Sequence, residues 1–294
     1  MIMSWRVVVI SGNAKLDYKM DYLVVRTVDE TRRIHLSEIG VLVVESTAVS
    51  LTAYLLCELN ERKIKVIFCD HDRNPCSELV PTCGSHDSSV KIRRQLQWLT
   101  SNKQSVWTEI VREKLLRQRS HLERRELFEQ AALLSGYIEQ LEWNDAGNRE
   151  GHAAKVYFNA LFGKDFARGM DCPINAALNY GYTLILSAIN REISAAGYLN
   201  QLGINHCNSF NPFNLACDFM EPLRPLIDDA VIKMNPDSFG REEKLNLVGL
   251  LNKLVKYDGS HQYLMYALRL YCAGLFRALE SGDMSEIKWI DYGW

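Results

Sequence analysis

The stretch "KIKVIFCDHDRNPCSELVPTCGSHDSSVKIRRQLQWLT" (Lys63–Thr100) decides the fold, because the periodicity of the chain changes inside it. It opens on "KIKVIFCD", a short branched, apolar run of the kind that forms a strand. It ends on "VKIRRQLQWLT", where apolar residues begin to recur at three and four, the spacing of one helix face. Between the two, prolines, a glycine and polar residues interrupt both patterns and read as a link. The chain therefore divides into a small β-rich N-terminal domain (1–76), a linker (77–89) and a larger α-helical domain (90–294). The fold class expected is α+β, with an all-α C-terminal part.

Upstream of this point, "WRVVVI", "AKLDYKMDYLVVRT", "RRIHL" and "GVLVVES" are further short runs rich in Val, Ile and Tyr, with turn residues between them. The Gly12-Asn13 pair in "SGNAKL" predicts a hairpin-type turn. One helix interrupts the strands: "SLTAYLLCELNERK" places Leu51, Tyr54, Leu55 and Leu59 on one face. Downstream, "HAAKVYFNALFG", "INAALNYGYTLILSAINREISAAGYL" and "HQYLMYALRLYCAGLFRALESG" predict strong helices, the last closed by Gly282 as a C-cap. The aromatic tail "KWIDYGW" is expected to fold back on its own domain.

Composition excludes several classes. At 47% hydrophobic and 24% charged residues, the 294-residue chain has the make-up of a globular protein and none of the signs of disorder. No apolar run approaches the roughly 20 residues a membrane span requires. The run "VVVI" is too short for the core of a signal peptide, so a cytoplasmic protein is expected. None of the eight cysteines forms a CxxC pair, which removes zinc ribbons and thioredoxin-type motifs. Cys76 and Cys83 with His71 and His86 form only a loosely spaced alternative metal set. The net charge of −2 says nothing in favour of nucleic acid. Locally, however, Ser88–Gln130 carries ten Lys and Arg against five Glu. Such clustering reads either as a solvated helix face or as a phosphate-contacting surface.

Two segments concentrate chemistry. In "LGINHCNSFNPFNLACDFMEPLRPLID" (Leu202–Asp228), the pair Asn211-Pro212 predicts an N-cap and first helical residue. Asp218, Glu221 and Arg224 then follow at intervals of three, near one face, and Pro222 should bend the helix beside the acids. An isolated DxxE is more often an ordinary solvated face, and a lone loop histidine such as His206 is more often structural. In "NDAGNREGHAAKVYFNALFG" (Asn144–Gly163), Glu150 falls in the first turn of a helix, where the dipole favours a carboxylate. Gly151 weakens that helix start, and a glycine beside an acid permits close approach of another group. Tyr157 lies two turns along the same face. Taken together, Glu150, His206 and Glu221 supply two carboxylates and an imidazole, a workable set for Mg2+ or Mn2+.

Three segments carry a resemblance. "NREGHAAKVYFNALFG", "LNYGYTLILSAI" and "GINHCNSFNPFNLACDFMEPLRPLID" resemble the signature segments of the CRISPR-associated spacer-acquisition integrase, the catalytic subunit of CRISPR adaptation. The "NPFNLACDFMEPLRP" form is most similar to subtype A of the type II branch. The resemblance spans essentially the whole chain, including its β-then-α order. It implies catalytic, metal-holding roles for Glu150, His206 and Glu221, and accessory positions for Asp218 and Arg224 that orient the metal ligands or touch the scissile phosphate.

The resemblance further implies a metal-dependent DNA endonuclease and integrase. Its reaction is attack by the 3′-hydroxyl of a short captured DNA on a phosphodiester bordering a CRISPR repeat. The partners implied are double-stranded DNA, a second copy in a homodimer, and a small companion adaptation subunit in a heterohexamer. Further type II adaptation factors and the effector nuclease are also implied. Arg93, Arg94, Arg117, Arg119, Arg124 and Arg125 become candidate DNA contacts. The alternatives are a non-catalytic, DNA-binding architectural subunit of the same kind of complex and a metallohydrolase of small substrates. The second is weakened by the lack of HExxH.

Overall fold

A computed structural model describes residues 6–80 and 85–293. The N-terminal part holds strands β1 (Arg6–Ile10), β2 (Ala14–Lys19), β3 (Tyr22–Arg26), β4 (Thr31–His35), β5 (Ile39–Val44) and β6 (Val49–Leu51). Helix α1 (Ala53–Glu61) and strands β7 (Lys65–Cys69) and β8 (Pro75–Leu79) complete it. They form two sheets, ordered β4-β3-β2-β6 and β1-β5-β7-β8. In the second sheet β1, β5 and β7 run parallel, and β8 closes the edge antiparallel to β7.

Every residue of β5, "IGVLVV", is buried, because the strand is covered on both faces. Alternate side chains then serve two cores. Leu42 and Val44 join Leu16, Leu23 and Leu55 in the N-terminal core, whereas Val41 and Val43 pack with the helices. Strand β7 divides in the same way, Val66 toward the N-terminal core and Ile67 and Cys69 toward the helices, so this sheet welds the β-rich part to the helical part.

Three local expectations differ from this arrangement. Gly12-Asn13 does not close a hairpin, since β1 pairs with β5 while β2 pairs with β3 and β6; the segment carries the chain from one sheet to the other. The real hairpin is β2–β3, turning at Met20 and Asp21, both at positive φ. In α1 only Leu55 and Leu59 are buried; Leu51 belongs to β6, and Tyr54 stands exposed with its ring edge-on to Tyr18.

The C-terminal part is mostly helical: α2 (Ser88–Leu96), α3 (Thr100–Arg124), α4 (Phe128–Glu139), α5 (Arg149–Phe162), α6 (Pro173–Ala196), α7 (Asn214–Met220), α8 (Arg224–Met234), α9 (Arg241–Gly249) and α10 (Leu264–Ser281). It also contains a small sheet of β9 (Leu254–Tyr257), β10 (Ser260–Tyr263) and β11 (Ile290–Asp291), so the part is not helical throughout. Strand β8 runs to Leu79 and α2 starts at Ser88, which makes the first residues of the expected linker part of a sheet.

Helix α6 lies against α7, α8, α9 and α10 and is apolar on most sides, as a central helix must be. Gly181 allows close approach there, because a Cβ would lie 2.5 Å from Ile227 Cγ2 on α8. Gly282 ends α10 in the left-handed region, as its sequence predicts. The tail does fold back: β11 pairs with β9, and the buried Tyr292 hydroxyl donates to the Pro222 carbonyl.

Candidate active site

Long-range packing brings Glu150, His206 and Glu221 together from three elements. Glu150 sits in the first turn of α5, where Asp145 anchors the helix start. Its carboxylate accepts from the Arg149 N–H at 2.7 Å and the Glu150 N–H at 3.1 Å. Asn148, left-handed at φ 48°, precedes the helix, and its side chain occupies the space a Cβ at Gly151 would need. The close approach expected at Gly151 is therefore made by Asn148.

The second segment differs from its expected form at one point. Helix α7 begins at Asn214 rather than Pro212, because Asn211 is spent on a turn: its Oδ1 accepts from the Phe213 N–H at 2.9 Å. Asn214 then ties the helix start to the preceding loop by donating to the carbonyls of Gln201 and Asn208. The bend at Pro222 is present as a 3-10 turn, Glu221–Leu223, between α7 and α8.

Asp218 is fully buried and organises the histidine loop. Its two oxygens accept from the backbone N–H groups of Ile204 (2.6 Å), Asn205 (3.2 Å) and His206 (2.9 Å). It also lies 2.6 Å from Nδ1 of the His206 ring. A carboxylate can only accept, so Nδ1 carries the hydrogen and Nε2 is left as the ring's acceptor. This hydrogen bond raises the His206 pKa against the effect of burial, and the charges of Glu221 and Glu150 raise it further. Trp107 of α3 meets the ring edge-on at 5.8 Å.

The two glutamates converge on one cation that the sequence reading did not single out. Lys114 Nζ donates to Glu150 Oε1 at 2.6 Å and to Glu221 Oε2 at 2.6 Å. Arg224 Nε takes the other Glu221 oxygen at 2.8 Å. Burial alone would push Glu221 up, but the charges of Arg224 and Lys114 outweigh it and hold the carboxyl at about 2. Burial likewise works against the Lys114 charge, and the two glutamates raise its pKa above the usual lysine value in spite of it. Lys114 had a legible signal: it falls on the α3 stripe of Trp107, Val111, Gln118 and His121, all buried.

Two carboxylate oxygens and an imidazole nitrogen are a donor set for a divalent ion, and carboxylates already aimed at one cation fit that use. Among the described residues, no three His, Cys, Asp or Glu side chains form a ready-made cage; the Lys114 ammonium stands between the two carboxylates. In the alternative set, His71 and Cys76 are exposed, the Cys76 Sγ faces the Phe68 carbonyl, and Cys83 lies outside the described residues.

Tyr157 does not reach the site. It is fully buried, its hydroxyl 2.7 Å from His121 Nδ1, in a second polar cluster with Tyr182, Asp228 and Asp229. Burial pushes the Asp228 carboxyl up to about 6, against the hydroxyls of Tyr182 and Tyr157. Arg224 joins the two clusters, its guanidinium 4.6 Å from the Tyr182 ring centre.

The six candidate DNA-contacting arginines do not share one face. Arg93 and Arg94 are exposed on α2. Arg117 is half-buried, bound to Glu113 at 2.6 Å and stacked over Tyr292. Arg119 lies near Glu123, Arg124 near Asp229, and Arg125 near His121. Beside His206, a cleft of about 630 Å³ opens between the loop and α2–α3, lined by Trp98, Lys103, Asn208 and Phe210 among others.

Residues 7–242 match the family described as CRISPR associated protein Cas1. The chain is 35% identical over 232 residues to the CRISPR-associated endonuclease Cas1 of Neisseria meningitidis, covering 79% of this chain and 76% of that protein. Among solved structures, the fold matches a chain of a Cas6-RT-Cas1–Cas2 complex with TM-score 0.75 and 21% identity, over 97% of this chain and 36% of the other. It also matches a casposase bound to integration product, with TM-score 0.73 and 17% identity, over 95% and 91% of the two chains.

Proposed function

This chain belongs to the CRISPR-associated Cas1 family, and on that premise we propose that it is a nuclease and integrase of spacer acquisition, working on DNA with a divalent metal. The observation that carries the proposal is the convergence of Glu150 and Glu221 on one cation position, beside a histidine whose ring is fixed by a buried aspartate.

In this reading Glu150, Glu221 and the His206 Nε2 hold Mg2+ or Mn2+. When bound, such an ion supplies charge to a phosphodiester and to the departing oxygen. Everything else falls to the chain's own residues. Asp218 keeps the imidazole in one tautomer and one orientation, the usual duty of a carboxylate behind a metal-binding histidine. Arg224 holds Glu221 ionised and, by taking Oε1, leaves Oε2 to the position that Lys114 occupies. Gly203 lets the loop pass over Asp218, since a Cβ there would lie 2.8 Å from Asp218 Oδ2.

The reaction is an exchange of phosphate esters. The 3′-oxygen of a captured DNA end bonds to a phosphorus bordering the repeat, and the 3′-oxygen of the repeat strand leaves. Bond energies nearly balance, so the protein's share is positioning and charge. We further propose a homodimer working in the cytoplasm on duplex DNA with a small companion subunit. The matched solved chain stands in a complex with Cas2, which supports the companion subunit.

The test is strand joining. The protein is mixed with its companion subunit, a short duplex with free 3′-hydroxyl ends and a plasmid bearing a repeat, in Mn2+ or in EDTA. Joining in Mn2+ that vanishes in EDTA and in Glu150→Ala is the expected result. Joining that survives Glu150→Ala refutes the metal site, and DNA binding with no joining by wild type favours an architectural subunit.

A further inference from the structure

Lys114 is the residue of the site with no role yet. The residue is buried, at 7% exposure, and its ammonium donates to one oxygen of each glutamate proposed to hold the metal. Arg224 takes the remaining side of Glu221. Two carboxylates are thus matched by one ammonium and one guanidinium, and the cluster is formally neutral. Stripped of that match, two carboxylates sharing one position, Glu221 buried and Glu150 partly so, would repel one another or take up a proton. An ammonium suits the position: it is compact, a near-point charge, with several donors to share between two acceptors.

We propose that Lys114 is a built-in stand-in cation, holding Glu150 and Glu221 in metal-binding register until a divalent ion replaces its ammonium between them. The inference rests on the metal-site reading above. It deepens that reading by naming what the ion competes with. An ion entering beside the ammonium would meet a like charge at short range in a poorly screened interior. Lys114 must therefore leave both carboxylates, breaking two charge-assisted hydrogen bonds, before they can serve as ligands. Metal affinity is then weaker than the donor set alone would give, and the metal-free site stays ordered. The four-carbon stem of lysine lets the ammonium swing away without moving α3.

Removing the competitor should tighten metal binding even though it removes a residue of the site. Full-length wild type, Lys114→Gln, Lys114→Met and Glu150→Gln are titrated with Mn2+, free ion being followed by electron paramagnetic resonance. The expected result is one site in wild type that is lost in Glu150→Gln and is on the order of tenfold tighter in both Lys114 variants. Equal or weaker affinity in folded Lys114 variants overturns the proposal while leaving the metal site standing. A wild type without the Glu150-dependent site overturns both.

A second measurement is read on wild type, with only the charge-conserving Lys114→Arg needed for assignment. The slowly exchanging 15N ammonium signal of Lys114, assigned by its loss in Lys114→Arg, should shift or vanish when Mg2+ saturates the site. A signal that Mg2+ leaves unchanged overturns the proposal.

Discussion

Asp218→Asn is the perturbation that tests the geometry of the site most directly. The substitution keeps size and shape but replaces two acceptor oxygens with one oxygen and one amide donor. In the native protein Oδ2 receives the Ile204 and Asn205 N–H groups, and Oδ1 receives the His206 N–H and ring Nδ1. Whichever way the amide is turned, two donors lose their acceptor and face an NH2 group instead. Hydrogen bonds to a charged group contribute roughly 1.5–3 kcal/mol each, and the two lost on one oxygen are not additive. A loss of about 3 kcal/mol in the local stability of the 203–206 loop is the expected size, which is about a hundredfold in an opening equilibrium. Hydrogen exchange reads this directly. The amides of Ile204 and His206 should lose about a hundredfold of protection, while the buried helices α6 and α10 exchange as before. With the ring no longer held, Mn2+ affinity and joining should fall by about 10–100-fold. Wild-type protection at Ile204 and His206 would refute the reasoning, because the loop would then be held by something other than the carboxylate.

Three further outcomes are expected. Asp228, at about 6 in the folded protein against 3.8 for the free carboxyl, contributes stability that is complete below about pH 4 and lost as the pH rises through 6. Asp228→Asn should thus gain on wild type by up to about 3 kcal/mol between pH 4 and 7 in urea denaturation, and a pH-independent difference would contradict the burial argument. Gly203→Ala places a Cβ 2.2 Å from the His206 carbonyl oxygen, so the loop must shift; a loss of about 1–3 kcal/mol in thermal denaturation, with weakened Mn2+ binding, is expected. Finally, Arg93→Ala with Arg94→Ala should flatten the salt dependence of DNA binding by about 0.9 per lost contact, whereas Arg117→Ala should leave the slope unchanged. The reverse pattern would put the DNA surface on the other side of α3.

The strands were legible because branched, apolar runs mark them, and the helices because their apolar residues recur at three and four. Pairing was not legible. Gly12-Asn13 has the chemistry of a hairpin turn and makes none, while Met20-Asp21 turns a hairpin without the residues that advertise one. Turn chemistry reports only what a segment can adopt; β5, competing for β1 from far along the chain, decided the outcome. The same division holds at the site. Spacing alone made Asp218, Glu221 and Arg224 neighbours on a helix, and the resemblance joined them to Glu150 and His206. Neither exposed Lys114, because a lysine among the arginines of α3 reads as surface although it lies on the buried stripe.

Pairing along α3 changes the meaning of the basic segment. Of the ten cations between Ser88 and Gln130, Lys114 is consumed by Glu150 and Glu221, Arg117 by Glu113, and Arg112 and Arg119 each lie against a glutamate of their own helix. Paired cations attract little from solution, so the surplus read along the sequence overstates the field along α3. Arg93, Arg94 and Arg124 are the exposed cations of this segment, Arg94 lying 3.9 Å from Glu280 and Arg124 4.0 Å from Asp229, while Lys103 at the start of α3 is half-buried. Lys103 lines the cleft beside His206, which puts one positive charge next to the proposed metal site. The near-neutral total of the chain is therefore no argument against a DNA-binding enzyme, because part of its charge of both signs is spent on pairs in the site and along α3.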